Sequence, residues 1–203
     1  MLTQTKITQG NITAKIAQTI LAEGNNRFAQ NFKSQRNLKE QVIQTSEGQY
    51  PFAVILSCID SRVPAELVFD QGIGDIFSVR VAGNIVNEDI LGSMEYACKV
   101  AGSKLLVVLG HTKCGAVTAA CKNVELGNIT TLLKKIEPAV TLVKAEKGEL
   151  NDEAIEEVSI TNVKISMDRI REESPILAEM ESNGEINIVG AIYNVSTGLV
   201  NFL

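Results

Sequence analysis

Four short apolar runs, separated by stretches of helical periodicity, constrain this chain more than any other feature. They occupy residues 52–57, 76–81, 105–109 and 186–192. Each is too short for a core helix and apolar almost throughout, the pattern of a strand buried on both faces. Helical stretches lie between them: 63–69, with Pro64 in its first turn, then 90–100 and 115–122. A long charged stretch, 132–180, reads as two or three helices broken near Pro138 and Gly148, and 198–202 adds an edge strand after the turn at Ser196-Thr197-Gly198. The expected fold class is α/β: a mostly parallel sheet of four strands plus that edge strand, flanked by helices.

Ahead of this core, residues 13–31 place Ile16, Ile20, Leu21 and Phe28 near helical spacing, and a polar segment at 31–49 is expected to wrap the surface. About 1–49 therefore forms an N-terminal helical arm, which needs a partner surface such as another subunit. No internal repeat or low-complexity tract marks a boundary, so 1–203 is read as one domain.

The composition excludes several classes. The net charge is −5 and no basic block is interleaved with aromatics, so no nucleic-acid surface is expected. The longest apolar runs are of strand length, so no membrane span is expected either. The polar start Met1-Leu2-Thr3-Gln4-Thr5-Lys6 lacks the apolar core of a signal peptide, which makes a cytoplasmic protein with reduced thiols the default.

Candidate chemistry lies where strands end. The only histidine, His111, stands three residues before Cys114 in Gly110-His111-Thr112-Lys113-Cys114-Gly115, directly after the third run. Cys58 follows the first run. In parallel α/β sheets, sites form beyond the carboxyl ends of strands. Thiolate and imidazole are zinc donors, and three protein ligands leave a position open for chemistry. Taken singly, each of these residues also suits an ordinary buried position; their conjunction at two strand ends favours a Cys58, His111, Cys114 metal set. Cys98 and Cys121 fall within helical stretches and read as packing residues.

In Cys58-Ile59-Asp60-Ser61-Arg62, Asp60 and Arg62 are two residues apart and can face one side of an extended loop. An arginine there would keep the carboxylate ionised and oriented. On a bare surface the same pair would contribute only ~0–1 kcal/mol; its place beside a candidate ligand favours a functional role.

Cys58-Ile59-Asp60-Ser61-Arg62-Val63 and Gly110-His111-Thr112-Lys113-Cys114-Gly115 together closely resemble the two signatures of the β-class carbonic anhydrases. Further likenesses are Ala22-Glu23-Gly24-Asn25-Asn26-Arg27-Phe28, Val79-Arg80-Val81-Ala82-Gly83-Asn84 and Gly190-Ala191-Ile192-Tyr193. The resemblance implies one Zn2+ per chain on Cys58, His111 and Cys114, and reversible hydration of carbon dioxide to bicarbonate and a proton, with the Asp60–Arg62 dyad orienting the nucleophile. It implies a homodimer or larger homo-oligomer with the active site at the dimer interface. Gln49, Phe77 and Tyr96 match the substrate-pocket residues of the plant-like, open-site branch, and Gly115 matches a position whose N–H points into the site. The absence of tryptophan argues against the inhibitory bicarbonate pocket of closed-type members. The alternatives are a carbon disulfide or carbonyl sulfide hydrolase on the same zinc site, or a zinc-binding protein without turnover.

Overall fold

The computed structural model describes residues 3–203; Met1 and Leu2, the first residues of the expected arm and of the polar N-terminal segment, lie outside it. The arm comprises α1 (Lys6–Gly10), α2 (Ala14–Ala29) and α3 (Leu38–Gln44). Helix α2 begins where its sequence says it should, with the Thr13 side chain accepting the Ile16 N–H as N-cap. Helix α3 lies within the polar segment 31–49, which is largely exposed. Its sequence, LKEQVIQ, carries little apolar patterning because only Gln41 is buried.

The core then alternates: β1 (Ala53–Ser57), α4 (Ala65–Val68), β2 (Ile76–Arg80), α5 (Glu88–Glu95), β3 (Leu105–His111) and α6 (Gly115–Cys121). After these come α7 (Gly127–Leu133), α8 (Glu137–Lys147), α9 (Asp152–Glu173), α10 (Pro175–Ser182), β4 (Asn187–Tyr193) and β5 (Val200–Phe202). The sheet order is β2-β1-β3-β4-β5. The first four strands are parallel, and β5 closes antiparallel on β4.

The helices differ from the sequence reading in detail. Residues 90–100 are not one α-helix: α5 passes at Tyr96 into a π-turn, Tyr96–Val100, in which the Ala101 N–H reaches back to Tyr96 O. The expected break near Pro138 falls at residues 134–136, between α7 and α8, and Pro138 itself sits in the first turn of α8, where its missing N–H costs no hydrogen bond. The break that the sequence reading omitted falls at Ser174–Pro175, between α9 and α10.

Strand alternation sends β1 and β3 side chains to two cores. Ala53, Ile55, Leu105, Val107 and Leu109 pack with Leu21 of α2 and Val68 of α4. Val54, Leu56, Leu106 and Val108 pack on the other face with Met94 of α5, Ile170 of α9 and Leu177 of α10. Both faces are covered, so β1 is apolar through residues 53–56 and β3 through 105–109. A third cluster surrounds Cys58 and Cys114 with Val117, Ile136, Val140 and Val158, drawn from α6, α8 and α9 and the turn that leads into α8.

Helix α9 lies directly on the sheet. A Cβ on Gly110 of β3 would come within 2.6 Å of Val163 Cγ2, and one on Gly190 of β4 within 2.8 Å of Val163 Cγ1. This close seat fixes α9 against the strand that ends in His111.

Candidate metal centre

The β1–β3 register places Ser57 opposite Leu109, so both strands deliver their next residues to the same end of the sheet. Cys58 is the first residue past β1, His111 the last of β3, and Cys114 the residue that precedes α6. All three are buried, and their ligand atoms lie within 4.8 Å of one another.

The imidazole is oriented for coordination. His111 Nδ1 is 2.9 Å from Thr112 O, and because a carbonyl only accepts, Nδ1 carries the proton and Nε2 presents its lone pair. Nε2 is buried with no hydrogen-bond partner. A buried acceptor left unpaired is costly unless something positive occupies the space in front of it. Two thiols converge on the same space. Their mutual hydrogen bond dominates both: it pulls Cys58 well below the usual thiol range and pushes Cys114 up, and burial raises each. One thiolate thus forms readily, and a second beside it only with a cation between them. The Gly83 N–H also donates to Cys58 Sγ at 3.3 Å. The donor set therefore fits a divalent, thiophilic metal such as zinc.

The dyad is formed. Asp60 Oδ1 accepts the backbone N–H and Nε of Arg62, each at 2.9 Å, and Oδ2 accepts Nη2 at 2.7 Å. These bonds outweigh partial burial and hold Asp60 at about 2, so it is ionised at neutral pH. Asp60 Oδ2 also lies 3.9 Å from His111 Nε2. Arg80, from β2, fixes the same loop from beneath by donating to Cys58 O at 3.0 Å and Asp60 O at 2.7 Å.

The remaining candidates are placed differently. Phe77 and Tyr96 meet edge to face, centroids 6.3 Å apart, on the outer side of edge strand β2. They line an open cleft of about 710 Å³ that also contains Val79, Arg80, Glu88 and Gly92. Arg80 is thus shared between this cleft and the Cys58–Asp60 loop. Gly115 is exposed at the start of α6 with open space beside its Cα. Gln49 is exposed in the segment that enters β1, the opposite end of that strand from Cys58. Cys98 is buried, and burial raises its thiol to about 12; Cys121 is half-buried and also raised.

The sequence reading missed Gly83, whose backbone N–H reaches Cys58 Sγ, and Arg80 and Glu156, whose side chains bond backbone groups of the ligand loops. Gly83 and Arg80 stood in a quoted motif but were read as strand ending. Glu156, one acid among many on α9, gave no signal at all.

Residues 53–200 match the carbonic anhydrase family model. The chain is 36% identical over 194 residues to carbonic anhydrase 2 of Mycobacterium tuberculosis, which covers 93% of this chain and 92% of the relative. Its fold superposes on the β-carbonic anhydrase CcaA with a TM-score of 0.76 at 26% identity, over 92% of this chain and 91% of that one. The chain belongs to the β-carbonic anhydrase family. The carbonic anhydrase of Mycolicibacterium smegmatis is 34% identical over 89% of this chain and 88% of its own length. This β-carbonic anhydrase is a carbonate dehydratase that hydrates carbon dioxide, and its Cys58–His111–Cys114 group fits the family's zinc site.

Proposed function

We propose that Cys58, His111 and Cys114 hold one zinc ion per chain, that Asp60 and Arg62 are the catalytic dyad, and that Gln49, Phe77, Tyr96 and Gly115 bind substrate in the plant-like, open-site manner. Zinc, when bound, supplies the Lewis acidity that makes water a nucleophile near neutral pH. The observation that carries the reading is the Asp60 carboxylate, gripped by Arg62 yet only 3.9 Å from the unpaired His111 Nε2.

In this reading Arg62 keeps Asp60 turned away from the ligand position, so the carboxylate accepts a proton-bearing edge of the nucleophile instead of occupying its place. The orientation of the attacking lone pair follows from that hydrogen bond. Phe77 and Tyr96 provide apolar walls suited to a substrate without charge or dipole. The Gly115 N–H, in the first turn of α6 and outside the helix's own ladder, donates to a substrate oxygen.

The site is completed by a second copy of the chain. Gln49 enters β1 at the end remote from Cys58, so it serves a ligand set across a dimer interface. Supporting this, edge strand β2 leaves its outer side unpaired by the sheet, with Tyr96 of the adjacent π-turn 52% exposed. Tetrameric β-carbonic anhydrases from Sordaria macrospora share the fold. The chain acts as one domain in the cytoplasm; no helix among the described residues is long and apolar enough to cross a membrane.

Stopped-flow hydration of carbon dioxide tests the assignment, with zinc content measured in the same samples. Cys58→Ser is expected to lose zinc and activity together. Gln49→Ala is expected to raise KM while the protein keeps its zinc. Full activity in Cys58→Ser would overturn the ligand assignment.

A further inference from the structure

Between the two ligands of the third strand end, Lys113 adopts the left-handed conformation, φ +53°. That region is unfavourable for a residue with a β-carbon, so surrounding contacts must hold it. Two do, from opposite sides of the same residue. Glu156 Oε1 on α9 accepts the Lys113 N–H at 2.8 Å. Arg62 Nη2 donates to Lys113 O at 3.1 Å, and the same nitrogen donates to Asp60 Oδ2 at 2.7 Å.

A continuous hydrogen-bonded path therefore runs from Glu156 through the Lys113 backbone to Arg62 and Asp60. Its far end is mechanically fixed. Val163 of α9 sits against Gly110 and Gly190, and Asn162 donates to Gly83 O at 2.9 Å. The carboxylate at 156 is thus carried on a rigid element, the arrangement that makes a supporting side chain effective.

We propose that Glu156 is a positioning residue for the zinc site: it holds the Lys113 turn so that His111 and Cys114 stay convergent and Arg62 keeps its grip on both Lys113 and Asp60. The proposal rests on the reading of Cys58, His111 and Cys114 as zinc ligands. Glu156 acts through a backbone N–H, so what matters is an acceptor oxygen at this place on the helix. Glu157, the adjacent acid, makes no such contact and is the control for loss of charge.

The test uses the full-length zinc-loaded protein as wild type, Glu156→Ala, Glu156→Gln, Glu157→Ala and Cys114→Ser. Zinc release into excess chelator and the visible spectrum of the cobalt-substituted form are read beside kcat/KM. Loss of a group supporting a ligand loop typically costs about 10- to 100-fold in metal retention. Glu156→Ala is expected to release zinc faster by about that factor and to alter the cobalt bands. Glu156→Gln, which keeps an acceptor oxygen, recovers most of the loss, and Glu157→Ala matches wild type. Wild-type release and spectrum in Glu156→Ala overturn the proposal, as does equal damage in Glu156→Gln or Glu157→Ala. If Cys114→Ser retains zinc as wild type does, the ligand reading itself fails and carries the proposal with it.

Discussion

The Gly83 backbone N–H donates to Cys58 Sγ across 3.3 Å, tying the loop after β2 to a sulfur at the end of β1. Only glycine suits that place. Its φ is +68°, and a Cβ would come within 2.6 Å of Ile136 Cδ1 and 3.3 Å of Ala116 Cβ. Gly83→Ala combines left-handed strain with overpacking, and is expected to destabilise the fold by about 1–3 kcal/mol. It should also weaken zinc retention, because the N–H leaves the sulfur. Urea unfolding and chelator competition measure the two effects; an unchanged unfolding midpoint would contradict the packing argument.

Asp60→Asn removes the charge that Arg62 grips while leaving Cys58, His111 and Cys114 untouched. Zinc content should stay at one per chain. Positioned proton acceptors contribute about 10²–10⁴ in rate, so kcat/KM should fall by at least about 100-fold. Stopped-flow hydration alongside metal analysis checks this, and a variant that lost its zinc would place Asp60 among the ligands instead.

Asp70 joins the arm to the core. It accepts Arg27 Nε at 2.6 Å, Arg36 Nη1 at 2.6 Å and the Ser34 N–H at 3.1 Å, and its carbonyl accepts Arg36 Nη2. Burial works to raise this carboxyl, but the hydrogen bonds outweigh it and hold Asp70 at about 2. A depressed native value gives stability that is complete above the unfolded value, near 3.9, and is lost as pH falls towards 2. The shift corresponds to about 2 kcal/mol. Asp75 acts in the opposite sense, because burial raises it and favours its protonated form in the native state. Asp70→Asn should therefore lower stability at pH 7 and flatten the fall in urea midpoint between pH 4 and 2. An equally steep fall in the variant would assign acid sensitivity elsewhere.

The sheet was legible because its inner strands are buried on both faces, which makes 53–56 and 105–109 apolar at every position. Helix α3 was not legible, since it attaches through buried Gln41 and leaves Leu38, Val42 and Ile43 exposed. Nor was the π-turn at Tyr96, because its extra residue leaves the apolar spacing of 90–100 compatible with a regular helix. At the site, the three ligand candidates stood out through rare residue types at strand ends. The contacts that orient their loops did not, because they run through backbone atoms of Cys58, Asp60, Gly83 and Lys113, which carry no residue signature. Glu156 shows the consequence: its partner is an amide that any residue at 113 would present.

The lone histidine sets a kinetic limit. His111 is fully buried, with Nδ1 committed to Thr112 O and Nε2 facing the two cysteines and Asp60. No other histidine exists in the chain to carry protons away. The remaining relays are the Tyr96 hydroxyl and carboxylates. Both are poorly matched to transfer near neutrality, where imidazole is best suited. Turnover at saturating carbon dioxide should therefore rise with the concentration of an external buffer of pKa near 7, while kcat/KM stays constant. Stopped-flow assays across a series of buffer concentrations at fixed ionic strength separate the two parameters. A kcat that does not respond to buffer would mean that Tyr96 or a carboxylate exports the proton efficiently, and Tyr96→Phe would then show which.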